Sequence, residues 1–215
     1  MNRFWGLQDS SITFCEEDYI TSEYIAEYYN TISGLAYSLV GMWYLNTSLS
    51  KETCYSLIAL GLSTSLFHGT MRYYGQMADE ISMLLVSYYL IKEVHRDIPI
   101  ELLGVILSIY LMAYDMFPIF FIMFMSLQCY LHLLADEILK ELDGDWKKIW
   151  MNKLINYKNY SVLIGGVFWA IDIFLCDQLS FKYYHALWHI FTAISLWFGC
   201  DILRIYRVEK LLKSE

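Results

Sequence analysis

The sequence predicts an all-α membrane protein, a bundle of seven transmembrane helices in one domain. Of its 215 residues, 57% are hydrophobic and only 18% are charged, whereas soluble domains are nearer a quarter charged. Seven apolar segments, each near the roughly 20 residues that cross a bilayer, follow one another along the chain. Only two prolines occur, and no linker or low-complexity run separates the segments.

A polar leader, residues 1–21, precedes the helices and is dense in acidic side chains. It lacks the basic-then-apolar order of a cleavable signal peptide, so the first helix is expected to act as the targeting signal. The bundle is predicted over residues 22–206, and residues 207–215 form a cytoplasmic tail. The predicted segments lie at about 22–45, 53–71, 77–94, 98–114, 116–135, 159–178 and 183–206.

Two of these segments contain polar residues that an isolated lipid-facing helix does not tolerate. The second contains Ser63, Thr64 and Ser65, with His68 near its end. The third has Asp79 near its start. Because polar side chains inside a bilayer are costly, such segments are expected where several helices surround a polar site.

The distribution of basic residues predicts the orientation. With seven crossings, 12 of the 15 Lys and Arg residues fall on one side, and only Arg3, Arg72 and Lys182 fall on the other. The positive-inside rule then places the N-terminus outside or in the lumen and the C-terminus in the cytoplasm. We expect a multi-pass integral membrane protein, in an ER- or Golgi-type membrane if the host is eukaryotic and in the inner membrane if it is bacterial. A net charge of −8 with scattered basic residues gives no indication of nucleic-acid binding.

Three histidines and one acid are the candidate functional residues. His185 and His189 are four residues apart and share one helical face near the start of the last segment. The predicted topology places His68 and Asp79 at the same depth, near the outer face. Three histidines with an acid that is not a ligand match a catalytic zinc site with an open position. The alternative for these histidines is a set of hydrogen bonds between helices.

Further motifs accompany the histidines. Residues 15–19 read CEEDY, residues 24–31 read YIAEYYNT, and residues 168–172 read FWAID with Cys176 beyond. Together with the histidine set, they resemble the alkaline ceramidase family of seven-helix membrane amidases. The histidine set alone is also similar to the related progestin/adiponectin-receptor and haemolysin-III group, which lacks the leader motif.

The resemblance implies a Zn²⁺ ion held by His68, His185 and His189, with a water as fourth ligand and nucleophile. Zinc lowers the pKa of such a water toward neutrality. The position that matches the family's acid is Asp79, which would take a proton from the water and pass it to the leaving amine. The implied reaction cleaves ceramide to a sphingoid base and a free fatty acid.

One departure from the family concerns a hydroxyl near the zinc site. The family has a serine four residues before its first histidine, and this position is Thr64 here, followed by Ser65. Threonine keeps the hydroxyl but adds a methyl group, so Thr64 is our first candidate for the oxyanion or water contact and Ser65 the second. The alternative is that these hydroxyls serve packing or bond to carbonyls of the preceding turn.

A second departure concerns the calcium site that the family holds near its N-terminus. The positions that match its ligands are Thr13, Phe14, Glu16, Asp18 and Glu27. The leading aspartate is lost, but an asparagine is replaced by Asp18, so three carboxylates and the Phe14 carbonyl still offer the hard oxygen ligands of Ca²⁺. We therefore expect Ca²⁺ to be retained. The alternative is a solvated acidic leader in which Glu27 only caps or hydrogen-bonds in the first helix.

Three more residues on the outer side have candidate roles. Cys15 and Cys176 can form a disulfide that ties the leader to the sixth segment, and the compartment permits one. Asp172 is predicted about two turns into the membrane, where it is a candidate acceptor that orients a zinc-ligating histidine. A helix–helix hydrogen bond is an equal alternative for Asp172.

Three functions are compatible with the sequence: a zinc amidase acting on ceramide, a non-catalytic lipid receptor on the same scaffold, and a hydrolase of another long-chain lipid amide. The threonine at position 64 favours the receptor. Asp79 argues against it, because a structural zinc site is normally closed by four protein ligands. The expected partners are the lipid amide and membrane lipids, without nucleic acid, and the chain is expected to be a monomer.

Overall fold

The computed structural model describes residues 4–213 of the chain. Over this range the protein is all-helical, as predicted, with seven α-helices, one 3₁₀ turn and no β-strand. Arg3 and the outermost residues of the predicted leader and tail lie outside the described residues. The helices are α1 (Tyr28–Tyr44), α2 (Lys51–Thr70), α3 (Tyr73–Val94), α4 (Ile100–Met112), α5 (Phe117–Glu141), α6 (Asp145–Leu175) and α7 (Tyr184–Leu212), and the 3₁₀ turn (Cys176–Gln178) follows α6.

Three of these helices are long and apolar enough to cross a membrane. They are α5, α6 together with the 3₁₀ turn that extends it, and α7. Helix α4 is also apolar but has 13 residues. These helices indicate a membrane protein, while the number of crossings and the orientation stay predictions.

Four helices differ clearly from the predicted segments, and one of them is α5, which ends at Glu141 rather than near 135. Helix α1 begins at Tyr28 rather than near 22, because the preceding backbone pairs elsewhere: the Ala26 and Glu27 N–H groups donate to carbonyls at the end of α2. Helix α6 begins at Asp145, well before 159, because polar turns extend the helix on the N-terminal side of the apolar stretch. Helix α7 ends at Leu212, so most of the predicted tail is helical.

Helices α1 and α2 pack closely because small residues line their interface. A Cβ atom built on Gly61 of α2 would lie 2.3 Å from Ser38 Oγ and 2.5 Å from Ser38 N of α1. A Cβ atom on Gly41 of α1 would lie 2.6 Å from the Cys54 carbonyl of α2. Glycine at these positions lets the two backbones approach, as is common between membrane helices.

The helices pack so that two ends of the bundle can be distinguished. At the leader end, α1 and α7 begin and α2 ends, and Gln76 near the start of α3 hydrogen-bonds Ser11 of the leader. At the tail end, buried Glu93 of α3 accepts hydrogen bonds from Ser50, which precedes α2, and from Arg207 of α7 at 2.7 Å. The leader and the end of α7 therefore lie at opposite ends of the bundle.

Candidate active site

The three predicted histidines come together at the leader end. His68 lies in the last turn of α2, while His185 and His189 lie in the first turns of α7. All three are buried, and one potential ligand nitrogen of each lies within 4.8 Å of the others. The ring centroids are 4.6 to 4.9 Å apart. This is a donor set that suits Zn²⁺, which prefers three protein ligands where it leaves a position open for chemistry.

Two of the histidines are held through their other ring nitrogen. Glu27 Oε2 lies 2.6 Å from Nδ1 of His68, and Ser33 Oγ lies 2.9 Å from Nδ1 of His189. A carboxylate can only accept, so Nδ1 of His68 donates the proton and Nε2 keeps its lone pair. Metal-ligating histidines are oriented by partners of this kind. In both rings, Nε2 is therefore the nitrogen left for a metal.

The end of α2 and the start of α1 position Glu27 for this contact. The Glu27 N–H donates to the His68 carbonyl at 3.0 Å, and the Ala26 N–H donates to the Gly69 carbonyl at 3.0 Å. Met71 then takes a left-handed conformation, φ 51°, and its N–H bonds back to Phe67, which ends the helix. The extended backbone before α1 thus pairs with the last turn of α2 and brings Glu27 onto His68.

His185 has an acid beside it but no hydrogen bond to it. Among the described residues its buried Nδ1 has no partner, and Asp172 Oδ2 lies 3.9 Å away. Asp172 is buried on α6, where Oδ2 accepts the Cys15 N–H at 3.3 Å and Oδ1 is unpaired within the described chain. The distance to His185 is too long for a hydrogen bond, although Asp172 lies next to the ring that it was predicted to orient.

Asp79 of α3 and Thr64 of α2 are in direct contact in the wall of the cavity that the histidines line. Thr64 Oγ1 lies 2.5 Å from Asp79 Oδ1 and 2.8 Å from the Leu60 carbonyl. Since a hydroxyl has one proton, Thr64 can donate to only one of these oxygens at a time. Ser65 points elsewhere: its Oγ donates to the Thr31 carbonyl of α1 at 2.8 Å. Thr64 is thus the hydroxyl that the structure brings to Asp79.

The leader covers the histidine cluster at the leader end of the bundle. The Phe14 ring lies 4.0 Å from the His185 ring and 4.9 Å from the His68 ring, between centroids. Cys15, the next residue, forms a disulfide with Cys176 at a Cα–Cα distance of 5.3 Å. The leader is therefore attached covalently beyond the end of α6, and an aromatic side chain of the leader lies over the histidines.

Candidate calcium ligands meet at the start of α1. Both oxygens of buried Glu16 accept backbone N–H groups there, from Tyr29 at 2.7 Å and Asn30 at 2.8 Å. Burial raises the pKa of the Glu16 carboxyl, and these N–H groups partly offset the rise. Glu27 Oε2 accepts Asn30 Nδ2 at 2.9 Å, whereas the buried Oδ1 of Asn30 has no partner among the described residues. An unpaired oxygen beside two buried carboxylates suits a hard cation.

The other predicted calcium positions are placed differently. Asp18 is half-buried in the leader and adds negative charge near Glu16. Thr13 is exposed. Phe14 lies with its ring on the histidines, so only its backbone carbonyl remains for a cation.

An elongated, largely apolar cavity of about 460 Å³ extends from the histidine cluster toward the tail end. Asp79 and Leu90 of α3 both line it, and their separation along the helix corresponds to roughly 16 Å. Its wall between α5 and α6 is aromatic, with Phe117, Phe120, Phe121, Phe124 and Trp169. Such a space accommodates long hydrocarbon chains next to a polar reactive centre.

Three features of the site were not predicted. Ser33 gave no signal, because a single serine in a helix usually bonds within its own helix. Asn30 lies within the motif at residues 24–31, so its place in that motif could have marked it. Glu27 was predicted as a calcium ligand, and its contact with His68 depends on a pairing between distant backbone segments that spacing does not reveal.

Comparison with known families agrees with these motifs. A family model described as Ceramidase matches residues 6–215, nearly the whole chain. The chain belongs to the ceramidase family. The match confirms the resemblance drawn from the leader and histidine motifs, and it spans every candidate site residue.

Individual relatives cover almost the full length of the chain. A putative alkaline ceramidase of Dictyostelium discoideum is 25% identical over 271 residues, covering 98% of this chain and 90% of the relative. An alkaline ceramidase of Arabidopsis thaliana is 27% identical over 232 residues, covering 98% and 89%. Alkaline ceramidase 3 of Mus musculus is 28% identical over 225 residues, covering 89% and 81%.

Proposed function

We propose that this protein is a zinc-dependent ceramidase that hydrolyses the amide bond of ceramide inside the membrane, releasing a sphingoid base and a free fatty acid. The observation that carries the proposal is the cluster of His68, His185 and His189 beside Asp79, at the end of a long apolar cavity. The relatives described above are named ceramidases, which supports ceramide as the substrate.

The donor set supports zinc at this cluster. Three buried imidazoles suit Zn²⁺, and the partners on Nδ1 of His68 and His189 leave Nε2 free to bind it. When bound, Zn²⁺ would lower the pKa of a water and polarise the amide carbonyl. The buried, unpaired Nδ1 of His185 indicates that this part of the site is completed by a further group.

Asp79 is the proposed general acid and base. Its carboxylate would accept a proton from the attacking water and then donate it to the amide nitrogen as the carbon–nitrogen bond breaks. Thr64 holds one Asp79 oxygen and would keep the other facing the reaction. If Thr64 instead turns its proton to the amide oxygen, it would stabilise the developing oxyanion.

The apolar cavity would hold the hydrocarbon chains and keep bulk water away from the amide. Phe14 closes the leader side over the histidines. Excluding water strengthens the electrostatic interactions of Asp79 and the histidines with the reacting atoms. Because three helices of the chain are apolar enough to span a bilayer, substrate would reach the cavity from the lipid phase.

We also propose a calcium ion at the start of α1, bound by Glu16, Asp18, Glu27 and the Asn30 side-chain oxygen, with the Phe14 carbonyl as a further ligand. The unpaired Asn30 oxygen and the buried carboxylates support it. Glu27 would then touch both the calcium ion and His68, so calcium would stabilise the arrangement of the zinc ligands. Thr13, which is exposed, would contribute little.

The first experiment measures metal content and amide hydrolysis on detergent-purified protein. We expect about one zinc per chain in the wild type, with ceramide cleavage. His185→Ala should lose both, because it removes a ligand, and Asp79→Asn should keep zinc and lose cleavage. His132→Ala, an exposed histidine outside the cluster, is the matched control and should retain both.

Three results would contradict the proposal in different ways. A zinc-loaded wild type that cleaves no lipid amide would favour the non-catalytic lipid receptor. A folded wild type without zinc would overturn the assignment of the histidines. Cleavage of other long-chain amides but not ceramide would keep the mechanism and change the substrate.

A further inference from the structure

The inner part of the apolar cavity contains an amide side chain, Gln128 of α5. Its Nε2 donates to Ser87 Oγ of α3 at 2.9 Å, and Ser87 in turn donates to the Met83 carbonyl of its own helix at 2.8 Å. Both Gln128 and Ser87 line the cavity, where their neighbours include Leu90 and Phe124. A primary amide at this depth among hydrocarbon side chains is costly unless its polar atoms find partners.

The Gln128 amide has hydrogen-bonding capacity to spare. It carries two N–H donors and a carbonyl acceptor, and among the described residues only one N–H has a partner. The other hydroxyls lining this region already donate within the protein: Ser195 Oγ to the Lys158 carbonyl at 3.0 Å, and Thr192 Oγ1 to the Trp188 carbonyl at 2.7 Å. This cavity-lining amide therefore keeps one free donor and one free acceptor.

The distance from the reactive centre decides which part of a substrate could meet this amide. Ser87 follows Asp79 by eight residues on α3, which is roughly 12 Å along the helix axis. A lipid amide with its carbonyl at the histidines would place the middle of a hydrocarbon chain there. The polar groups next to the scissile amide would lie well short of it.

We propose that Gln128, held by Ser87, is a specificity residue that selects lipid amides carrying a hydroxyl in the middle of the chain lying in this cavity. A hydroxyl both donates and accepts, so it can pair with the free Oε1 and the free N–H of one primary amide. A plain hydrocarbon chain would leave both unpaired in an apolar space. Sites built to bind a hydroxyl discriminate against analogues lacking it because their own polar groups are left unpaired. This inference rests on the proposed amide hydrolysis.

The test compares kcat/KM of the zinc-loaded full-length protein on three matched lipid amides. They share one base and one chain length, and carry an unsubstituted acyl chain, a mid-chain hydroxyl, or a hydroxyl on the carbon next to the amide. The wild type should prefer the mid-chain hydroxyl over the unsubstituted chain by about tenfold, the effect of one or two net hydrogen bonds. The hydroxyl next to the amide should bring no such preference.

Two variants assign the preference to this amide. Gln128→Leu keeps the size and removes both polar atoms, so it should abolish the preference for the mid-chain hydroxyl while still cleaving the unsubstituted chain. Ser87→Ala should weaken the preference by releasing Nε2. Ser126→Ala is the matched control, because Ser126 makes the same bond to the carbonyl four residues back but is exposed on α5, and it should keep the wild-type preference.

The outcomes separate this inference from the proposed function. If the wild type cleaves the unsubstituted amide with no preference for the mid-chain hydroxyl, the inference is wrong and the proposed function stands. An unchanged preference in Gln128→Leu would also overturn it and would leave Gln128 as a hydrogen bond between α3 and α5. If the wild type cleaves none of the three amides, the proposed function fails first.

Discussion

Two side chains near the start of α1 each orient one histidine through its Nδ1 atom. Glu27 contacts Nδ1 of His68 and Ser33 contacts Nδ1 of His189. Glu27 accepts the Nδ1 proton of His68. Ser33, whose own proton goes to the Asn30 carbonyl at 3.1 Å, can accept the Nδ1 proton of His189. In each ring Nε2 is then free to bind a metal. Ser33 is the more informative of the two to test, because it has no other predicted role, whereas Glu27 is also a proposed calcium ligand.

Ser33→Ala should therefore weaken zinc binding by about 10- to 100-fold, the usual cost of removing such a partner. The measurement is zinc retention during titration with a chelator, on folded protein of verified thermal stability. Ser108→Ala, an exposed serine of α4 that bonds only within its helix, should leave zinc affinity unchanged. Equal zinc affinity in Ser33→Ala and the wild type would show that this hydroxyl does not orient His189.

Thr64 provides a second test, on chemistry rather than binding. Thr64→Val keeps the shape and removes the hydroxyl that contacts Asp79, so kcat should fall about 100-fold while zinc content is unchanged. Thr64→Ser keeps the hydroxyl and should retain most of the activity. Full activity in Thr64→Val would assign this hydroxyl to packing alone.

The sequence predicts that the three histidines and Asp79 lie together, because the predicted topology places them at the same depth in the membrane. The resemblance to the family ranks Thr64 before Ser65, but their chemistry does not separate them, since both carry hydroxyls one residue apart. Only the rotation of α2 against α1 and α3 distinguishes them, turning Thr64 to Asp79 and Ser65 to the Thr31 carbonyl. That rotation depends on packing, which hydropathy does not report.

At the scale of whole elements, the contact between α1 and α2 holds the site together, because α2 carries His68 and α1 begins at the residues that orient it. Gly61→Ala should separate these helices, since its Cβ would meet the Ser38 backbone at 2.5 Å. We expect a loss of about 1–3 kcal/mol of stability, seen as a lower melting temperature in detergent. Gly104→Ala on α4, with nothing within 4 Å of the added Cβ, should be neutral or up to about 1 kcal/mol stabilising.

Equal melting temperatures for the two alanine variants would show that α1 can shift without cost.

The existence of the helices was predictable from the apolar segments, but the residues at which they begin and end were not. The pattern of hydropathy shows where a helix can lie in lipid. Helix α6 instead starts at Asp145, because polar turns extend the helix ahead of its apolar stretch. The late start of α1 depends on backbone pairing with the end of α2.

For the whole molecule, the disulfide between Cys15 and Cys176 ties the leader to the turn that follows α6. Cys176→Ser should release the leader and lower stability by about 2–4 kcal/mol, the range typical of native disulfides. The measurement is the melting temperature together with the rate at which protease removes the leader. Cys129→Ser, which changes an exposed free cysteine, should match the wild type in both. Unchanged proteolysis in Cys176→Ser would mean that the leader is held by its noncovalent contacts.

The two ends of the bundle also predict how the protein lies in its membrane. The leader lies at one end, and Arg207 near the end of α7 lies at the other, against Glu93. The end with the disulfide should face an oxidising compartment, and the end with most Lys and Arg residues should face the cytoplasm.

In sealed vesicles with the cytoplasmic side outward, protease should remove a C-terminal tag and leave an N-terminal tag intact. Detergent should expose both tags equally, which controls for tag cleavage. Digestion of both tags before detergent would require an even number of crossings, and one of the shorter or more polar helices, α1 to α4, would then not span the bilayer.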